Sequence, residues 1–292
     1  MKRNIYLKTI PPAEAVARVK ASIDREALIR EETIPSHEAS GRVLAHAVHA
    51  RYSSPTFHSA AMDGYAVNAR STFAAREGHP LTLKAGETCF AVNTGHPMPE
   101  GCDAVIMIEQ VMLDGGSVTI EAPAFPWQHV RRIGEDIVAT ELLFPRNHQL
   151  RPWDVGALLS GGIWDVPVWE RVTVRIIPTG DEVLDFTTHP DPGKGQVVES
   201  NSQMLAALAR ELGCVVERAA PVPDNPEALH QALKDSLDAG RHLTIFCAGS
   251  SAGSKDFTRA TLEKEGEILT HGIAAMPGKP SLLANCRGRL VA

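Results

Sequence analysis

The chain has 292 residues, of which 43% are hydrophobic and 22% are charged. This apolar content is enough for a substantial buried core, and the length predicts two or three domains. The net charge of -6 is modest, the basic residues are scattered, and aromatic residues make up only 5% of the chain. These features argue against a nucleic-acid-binding surface, which needs clustered basic side chains.

Cysteine usage and hydropathy indicate the compartment. Five cysteines are present without a CxxC pair, so the sequence predicts neither a zinc site nor a disulfide framework. No stretch approaches the ~18 apolar residues of a membrane span, and no apolar segment follows the basic N-terminus. We therefore expect a cytoplasmic protein without an export signal or a membrane-spanning segment.

The first 170 residues change character twice. Apolar residues at helical spacing, with prolines in the first turn, predict a helix over residues 10–23. From residue 33 to about 143, short alternating runs separated by glycine and proline predict mostly β-strand. After Pro152, an apolar stretch ending at Gly161 predicts a short helix that packs near the first one.

From residue 171 onwards, apolar strands alternate with capped helices. The predicted strands are residues 172–177, 214–220 and 243–248, and the predicted helices start at residues 200–201, 225 and 257. This alternation predicts parallel strands with right-handed crossovers, and such sheets bind ligands beyond the carboxyl ends of their strands. The polar residues at that edge are Glu182, Asp224, Ser250, Ser251 and Asp256.

The fold class predicted from these three regions is multidomain α/β plus mainly-β. A linking region with helices comprises residues 1–45 and 140–170, a β-rich middle domain residues 46–139, and a parallel α/β sheet domain residues 171–292.

The sheet edge carries two features that each admit two interpretations. The small-residue loop at 248–253 is suited to a phosphate, whose oxygens its backbone amides can approach, and equally to a tight turn. Asp181, Glu182 and Asp256 are suited to a shared magnesium ion, and equally to ordinary helix capping.

Three other segments also remain open. Thr94 lies in a turn-rich loop that hairpin geometry alone explains, and His96 is not expected to ligate a metal because no second histidine has ligand spacing. Residues 130–137 combine two arginines with two carboxylates, which is typical of an internal ion pair or of an anion site. Lys279 lies in a proline and glycine turn that suits a tetrahedral oxyanion or nothing beyond a turn.

Seven short motifs, in this order, resemble the molybdopterin molybdenumtransferase family, which includes the E domain of gephyrin. They are Ser59-Ala-Ala-Met-Asp-Gly-Tyr-Ala, Asn93-Thr-Gly-His-Pro-Met-Pro-Glu-Gly-Cys-Asp-Ala-Val, Arg132-Ile-Gly-Glu-Asp-Ile, Pro178-Thr-Gly-Asp-Glu-Val, Glu199-Ser-Asn, Pro223-Asp-Asn and Pro277-Gly-Lys-Pro. The resemblance covers nearly the whole chain. It implies a molybdopterin-binding sheet domain, and an enzyme that inserts molybdate-derived molybdenum into adenylylated molybdopterin with release of AMP.

The resemblance also implies which residues form the active site. It predicts catalytic roles for Asp63, Asp136, Glu182 and Asp256, a magnesium ion at Glu182 and Asp256, and substrate binding by Thr94, Asp224, Gly249, Ser250, Ser251, Lys279 and Pro280. Molybdate and adenylylated molybdopterin are the implied substrates. The resemblance further implies a homodimer whose site lies between the two subunits. It also implies the molybdopterin adenylyltransferase as a partner.

Departures from the family pattern support a second hypothesis. Met276 stands where the family commonly has lysine, Ala248 stands in place of a glycine, and family members continue beyond this sequence with the rest of the sheet domain and a C-terminal β-domain. A neutral thioether cannot compensate oxyanion charge. The alternative function is therefore a non-catalytic or truncated relative that senses molybdate or cofactor, or serves as a dimeric scaffold.

Overall fold

The computed structural model describes residues 8–247 and 257–292. It contains two compact units. Residues 33–168 form the middle unit, and the segments before and after them form the sheet unit. Among the described residues, no helix has the length and apolar character needed to cross a membrane.

Short strands dominate the first half of the chain, and helices alternate with strands in the second. The first half contains α1 (Pro12–Ser22), α2 (Arg25–Leu28), β1 (Glu31–Pro35), β2 (Val48–His49), β3 (Ser59–Ala60), β4 (Gly64–Val67), β5 (Leu81–Lys84), β6 (Cys89–Val92), β7 (Ala104–Met107), β8 (Val111–Asp114), β9 (Ser117–Ile120), β10 (Val130–Arg131) and β11 (Leu142–Phe144). The second half contains α3 (Pro152–Ser160), β12 (Asp165–Trp169), β13 (Thr173–Pro178), β14 (Val183–Leu184), β15 (Val197–Val198), α4 (Asn201–Glu211), β16 (Val215–Arg218), α5 (Pro226–Asp238), β17 (Leu243–Cys247), α6 (Phe257–Glu265), β18 (Gly266–His271), β19 (Leu282–Cys286) and β20 (Arg289–Val291).

The middle unit is built on two antiparallel three-stranded sheets, ordered β6-β4-β7 and β5-β9-β8. Their apolar sides share one core, which includes Val67, Leu83, Ile106 and Val118. The predicted β-rich texture is confirmed here. Gly64 lets β4 approach β7 closely, because a Cβ at this position would lie 2.0 Å from the carbonyl oxygen of Ile106.

The sheet unit contains a six-stranded sheet with the order β16-β13-β17-β20-β19-β18. Strands β16, β13, β17 and β20 are parallel, whereas β19 is antiparallel to both of its neighbours. The predicted parallel strands β13, β16 and β17 are thus confirmed, and the antiparallel return through β19 is an addition to the prediction. Helix α4 covers one side at Val174 and Ile176, and α5 and α6 form a second core through Leu233 and Leu262.

Helix α1 packs on the sheet near β18 and β19. Arg18 Nη1 donates to the Leu269 carbonyl at 2.8 Å, and Asn285 Nδ2 donates to the Ser22 carbonyl at 2.6 Å. Before the helix, the Ile10 N–H donates to the Gly272 carbonyl at 3.2 Å. Residues 10–22 therefore contribute to the sheet unit, and the three-part division of the chain at 45, 140 and 170 stays a prediction.

Candidate functional site

The best-defined polar contact in the middle unit joins Asp63 and Thr94. The backbone N–H of Thr94 donates to Asp63 Oδ1 at 2.7 Å, and Thr94 Oγ1 donates to the same oxygen at 2.9 Å. These two hydrogen bonds, the backbone one foremost, lower the pKa of Asp63 below its usual value, with a smaller contribution from His96. Asp63 is therefore an exposed, ionised carboxylate at neutral pH.

Short strand β3 brings together the loops that carry these residues. On one side, the Ala60 N–H donates to the His96 carbonyl at 2.9 Å and the Gly95 N–H donates to the Ala60 carbonyl at 2.8 Å. On the other side, β10 pairs antiparallel with β3, so that Arg131 lies opposite Ser59. The three motifs around Asp63, Thr94 and Asp136 thus converge on the two-stranded ribbon that β3 and β10 form in the middle unit.

The arginine and carboxylate motif forms an internal ion pair. Arg131 Nη2 lies 2.9 Å and 2.8 Å from the two carboxylate oxygens of Asp136, and Arg131 Nε lies 3.6 Å from Glu135 Oε1. The open choice between an ion pair and an anion site is settled for Arg131 in favour of the ion pair. Within residues 8–247 and 257–292, the guanidinium of Arg132 has no side-chain partner and stays exposed.

In the sheet unit, the loops after β13 and β16 meet at the carboxyl ends of the strands. The Gly180 N–H donates to the Val222 carbonyl at 3.2 Å, and the Asp224 N–H donates to Asp181 Oδ1 at 3.2 Å. The Glu182 carboxylate folds back over Gly180, whose added Cβ would lie 3.0 Å from both of its oxygens. Glu182 and Asp224 therefore lie on adjoining loops, as the strand pattern predicts.

A half-buried charge network supports these loops and was missed by sequence reasoning. Arg218, at the end of β16, donates to Ser202 Oγ at 2.8 Å and lies 3.2 Å from Asp185 Oδ1 and 3.4 Å from Glu199 Oε2. Its guanidinium also covers the ring of Phe186 at 4.6 Å. The Thr187 N–H, followed by Arg218, lowers the pKa of Asp185. Only the Glu199-Ser-Asn motif carried a sequence signal for this network.

The turn around Lys279 joins β18 to β19. Because β18 runs parallel to β17, this turn lies at the same edge of the sheet as the acidic loops. Strands β17 and β18 are three positions apart, which corresponds to about 14 Å across the sheet. The Ile273 N–H donates to the Lys279 carbonyl at 3.0 Å, and Lys279 has no ion-pair partner within the part of the chain that the structure describes.

Four predicted residues, Gly249, Ser250, Ser251 and Asp256, lie outside the described residues. The phosphate loop and one proposed magnesium ligand therefore stay predictions. Among residues 8–247 and 257–292, no group of three histidine, cysteine, aspartate or glutamate side chains is placed to hold a metal ion. Burial raises the pKa of the Cys247 thiol, at the end of β17, to about 11, so this cysteine is not a thiolate nucleophile.

Two sequence families together cover most of the chain. Residues 10–162 match the MoeA N-terminal region (domain I and II), and residues 175–290 match the probable molybdopterin binding domain. A solved structure, the molybdopterin biosynthesis MoeA protein of Pyrococcus horikosii, superposes with a TM-score of 0.81 and 28% identity, covering 97% of this chain and 74% of that one. These matches define the class of protein and confirm the predicted fold class.

Curated relatives identify the family. The chain is 31% identical over 270 residues to the molybdopterin molybdenumtransferase of Synechococcus elongatus, with 87% of this chain and 67% of the relative covered. It is 33% identical over 269 residues to the one of Haemophilus influenzae, with 85% and 64% covered. The chain belongs to the molybdopterin molybdenumtransferase family. It spans about two thirds of the length of these relatives.

Proposed function

We propose that this chain acts as a molybdopterin molybdenumtransferase in molybdenum cofactor biosynthesis. In this reaction an attacking oxygen cleaves the phosphoanhydride that joins AMP to molybdopterin, so that AMP leaves and the pterin keeps its phosphate. The two dithiolene sulfurs bind the molybdenum of molybdate, and one oxo ligand leaves as water with the two thiol protons. Both relatives described above carry the name of this activity. The substrates, adenylylated molybdopterin and molybdate, follow from that proposal.

One observation carries the proposal. The acidic loops Pro178–Glu182 and Pro223–Asp224 come from different strands and meet at the carboxyl edge of a parallel sheet, where α/β folds bind ligands. Carboxylates at such an edge suit a substrate whose reacting group is a polyphosphate, provided that cations balance the charge. The match of residues 175–290 to a probable molybdopterin binding domain supports a pterin ligand at this edge.

The described carboxylates fit a magnesium ion. Glu182 and Asp181 are neighbouring, exposed oxygen donors on the loop after β13, and magnesium needs only one or two ligands from protein. We propose that Glu182 holds the ion together with Asp256. When bound, magnesium would neutralise the phosphate oxygens and the charge that develops on the leaving AMP.

The other predicted residues would bind the two substrates and orient their reacting groups. Asp63, kept ionised by Thr94, would accept a hydrogen bond from the attacking oxygen or from the substrate. Arg131 fixes the direction of the Asp136 carboxylate, which would serve the same purpose from a second loop. Asp224 would contact the nucleotide portion. Lys279 and Pro280 would hold molybdate, because a lysine in a short turn presents a point charge to a tetrahedral oxyanion.

We further propose a homodimer in which the middle unit of one subunit and the sheet unit of the other complete the site, and transfer of the pterin nucleotide from the molybdopterin adenylyltransferase. Family membership supports both proposals. A second candidate function, a non-catalytic sensor or scaffold, is favoured by Met276. This neutral residue is 91% exposed in the turn that would bind molybdate.

Incubation of the chain with adenylylated molybdopterin, magnesium and molybdate tests the proposal. AMP release and molybdenum retained by the pterin are measured together. The transferase predicts both, with loss of AMP release in Glu182→Gln and Asp256→Ala and no change in Asp114→Ala, an exposed hairpin control. Tight pterin binding without AMP release, unchanged by Asp256→Ala, supports the sensor instead.

A further inference from the structure

Trp127 leaves a large apolar ring in solvent next to the ribbon that carries Asp63. The residue is 44% exposed, and its ring contacts His58, with centroids 4.8 Å apart and planes tilted by 53°. Among the described residues, the indole N–H has no acceptor. Trp153 is also exposed but differs, because the Arg151 guanidinium lies over its ring at 5.1 Å.

The backbone that presents Trp127 is unfavourable for a residue with a side chain. Trp127 has φ 66° and His129 has φ 54°, so two left-handed residues flank Gln128. Glycine and asparagine adopt this conformation readily, whereas tryptophan does so at a cost. Strained conformations of this kind concentrate at ligand sites, where the surrounding structure maintains them.

Hydrogen bonds hold this strained turn in place. The Trp127 N–H donates to the Asp103 carbonyl at 2.7 Å, and the Gln128 carbonyl accepts from the Val105 N–H at 2.9 Å. The His58 ring is also fixed, since its Nδ1 accepts from the Ile133 N–H at 3.1 Å. The exposed indole is therefore presented by a fixed backbone and supported by a fixed neighbouring ring.

The turn belongs to the segments that carry the proposed polar site. The His129 carbonyl accepts from the Ala61 N–H at 2.8 Å, two residues before Asp63. The chain then continues directly into Arg131 and Asp136, the ion pair described above. The Trp127 turn and the segments that carry these carboxylates are therefore hydrogen-bonded to one another.

We propose that Trp127 is a stacking platform for a planar heteroaromatic ring of the substrate. This inference rests on the proposed function, whose substrate contains two such rings, adenine and pterin. An exposed indole can stack on the π face of either ring, and such stacking does not depend on hydrogen bonds to the edge of the ring. The binding cost of ordering the ring is small because the platform is already fixed.

Three variants of the full chain test the platform. Trp127→Gly removes the ring and suits the left-handed backbone, whereas His129→Gly relieves the neighbouring left-handed residue and keeps the ring. Trp153→Phe is a control at another exposed tryptophan. Calorimetric titration measures the binding of AMP, of ribose 5-phosphate, which lacks a base, and of a phosphate-free pterin, with circular dichroism to verify folding.

We expect Trp127→Gly to weaken binding of AMP or pterin by about 5- to 160-fold, the range of one base–aromatic stack. Ribose 5-phosphate binding should stay unchanged, as should every affinity in the two controls. Loss for AMP identifies adenine as the stacked ring, and loss for pterin identifies the pterin. Equal affinities in Trp127→Gly and wild type, or an equal loss for ribose 5-phosphate, overturn the platform alone. A wild-type chain that binds neither AMP nor pterin overturns the proposed function together with it.

Discussion

Thr94 directs both its backbone N–H and its hydroxyl to one oxygen of Asp63, at 2.7 Å and 2.9 Å. The two residues are 31 positions apart in sequence, and β3 brings their loops together. Because hydrogen bonds to the charged form favour ionisation, this pair keeps the Asp63 carboxylate charged and oriented.

We expect Thr94→Ala to raise the pKa of Asp63 toward its ordinary value. The variant removes the hydroxyl donor and keeps the backbone donor, so the increase should be partial. Carboxyl NMR titration of wild type and variant measures it. Thr119→Ala, which removes a hydroxyl from an exposed Thr82–Thr119 pair, is the control. An unchanged Asp63 titration in Thr94→Ala would show that the hydroxyl does not tune this carboxylate.

The buried Asp154 should make the stability of the middle unit depend on pH in the acid range. The carboxylate is only 3% exposed and lies 2.7 Å from His148 Nε2 and 3.1 Å from Arg151 Nε. Burial opposes its ionisation, but hydrogen bonds from Arg151 and His148 prevail and lower its pKa to about 2. Since the pKa in the folded state is depressed, this stabilisation is present above about pH 4 and is lost as the pH falls toward 2.

Asp154→Asn should therefore reduce the free energy of unfolding by about 2 kcal/mol at pH 7, and by much less near pH 2. Urea denaturation at the two pH values measures the difference. The exposed Asp114→Asn is the matched control, with an expected change below about 0.5 kcal/mol. A loss for Asp154→Asn that is the same at both pH values would assign the effect to packing rather than to charge.

The ion pairs of Arg218 with Asp185 and Glu199 lead to a prediction about protein stability. Arg218→Met leaves the carboxylates of Asp185 and Glu199 without their cation, and breaking such a pair costs about 3–5 kcal/mol when both groups are buried. Because Asp185 is partly exposed, we expect the lower end of that range. Denaturant unfolding of Arg218→Met, Asp185→Asn and the double variant measures the coupling between the two side chains.

The Arg218 variants also test whether the charge network positions the loop that carries Glu182. Asp185 follows Glu182 by three residues, so Arg218→Met should lower AMP release beyond any loss of folded protein. Arg218→Lys should restore only part of it, because lysine lacks the planar fork that contacts Ser202, Asp185 and Phe186 together. Full activity in folded Arg218→Met would separate the network from the acidic loop.

Sequence reasoning was most successful where the pattern is local. Strand and helix alternation predicted β13, β16 and β17, and with them the meeting of the Glu182 and Asp224 loops, because parallel strands share their carboxyl edge. The antiparallel course of β19 was not predicted, since hydrophobic periodicity gives no pairing direction.

Contacts between distant residues explain what was missed. Arg218 meets Asp185 across 33 positions, and neither lies in a motif, so no spacing rule indicates the pair. For Arg131 the sequence left an ion pair and an anion site open, and only the 2.8 Å contact with Asp136 decided between them. The left-handed backbone of Trp127 is invisible in sequence, because tryptophan is not a residue that predicts it.

Met276 and Lys279 allow a direct test of the proposed molybdate site. Its thioether is exposed in the turn of Lys279, where a second cation would attract molybdate. We expect Met276→Lys to increase molybdate affinity several-fold, with a gain that falls as ionic strength rises, and Lys279→Ala to decrease it. Equilibrium dialysis with molybdate at two salt concentrations measures both. Met204→Lys, an exposed methionine of α4, adds the same charge elsewhere. Equal gains in Met276→Lys and Met204→Lys would show only a general charge effect and would remove molybdate from this turn.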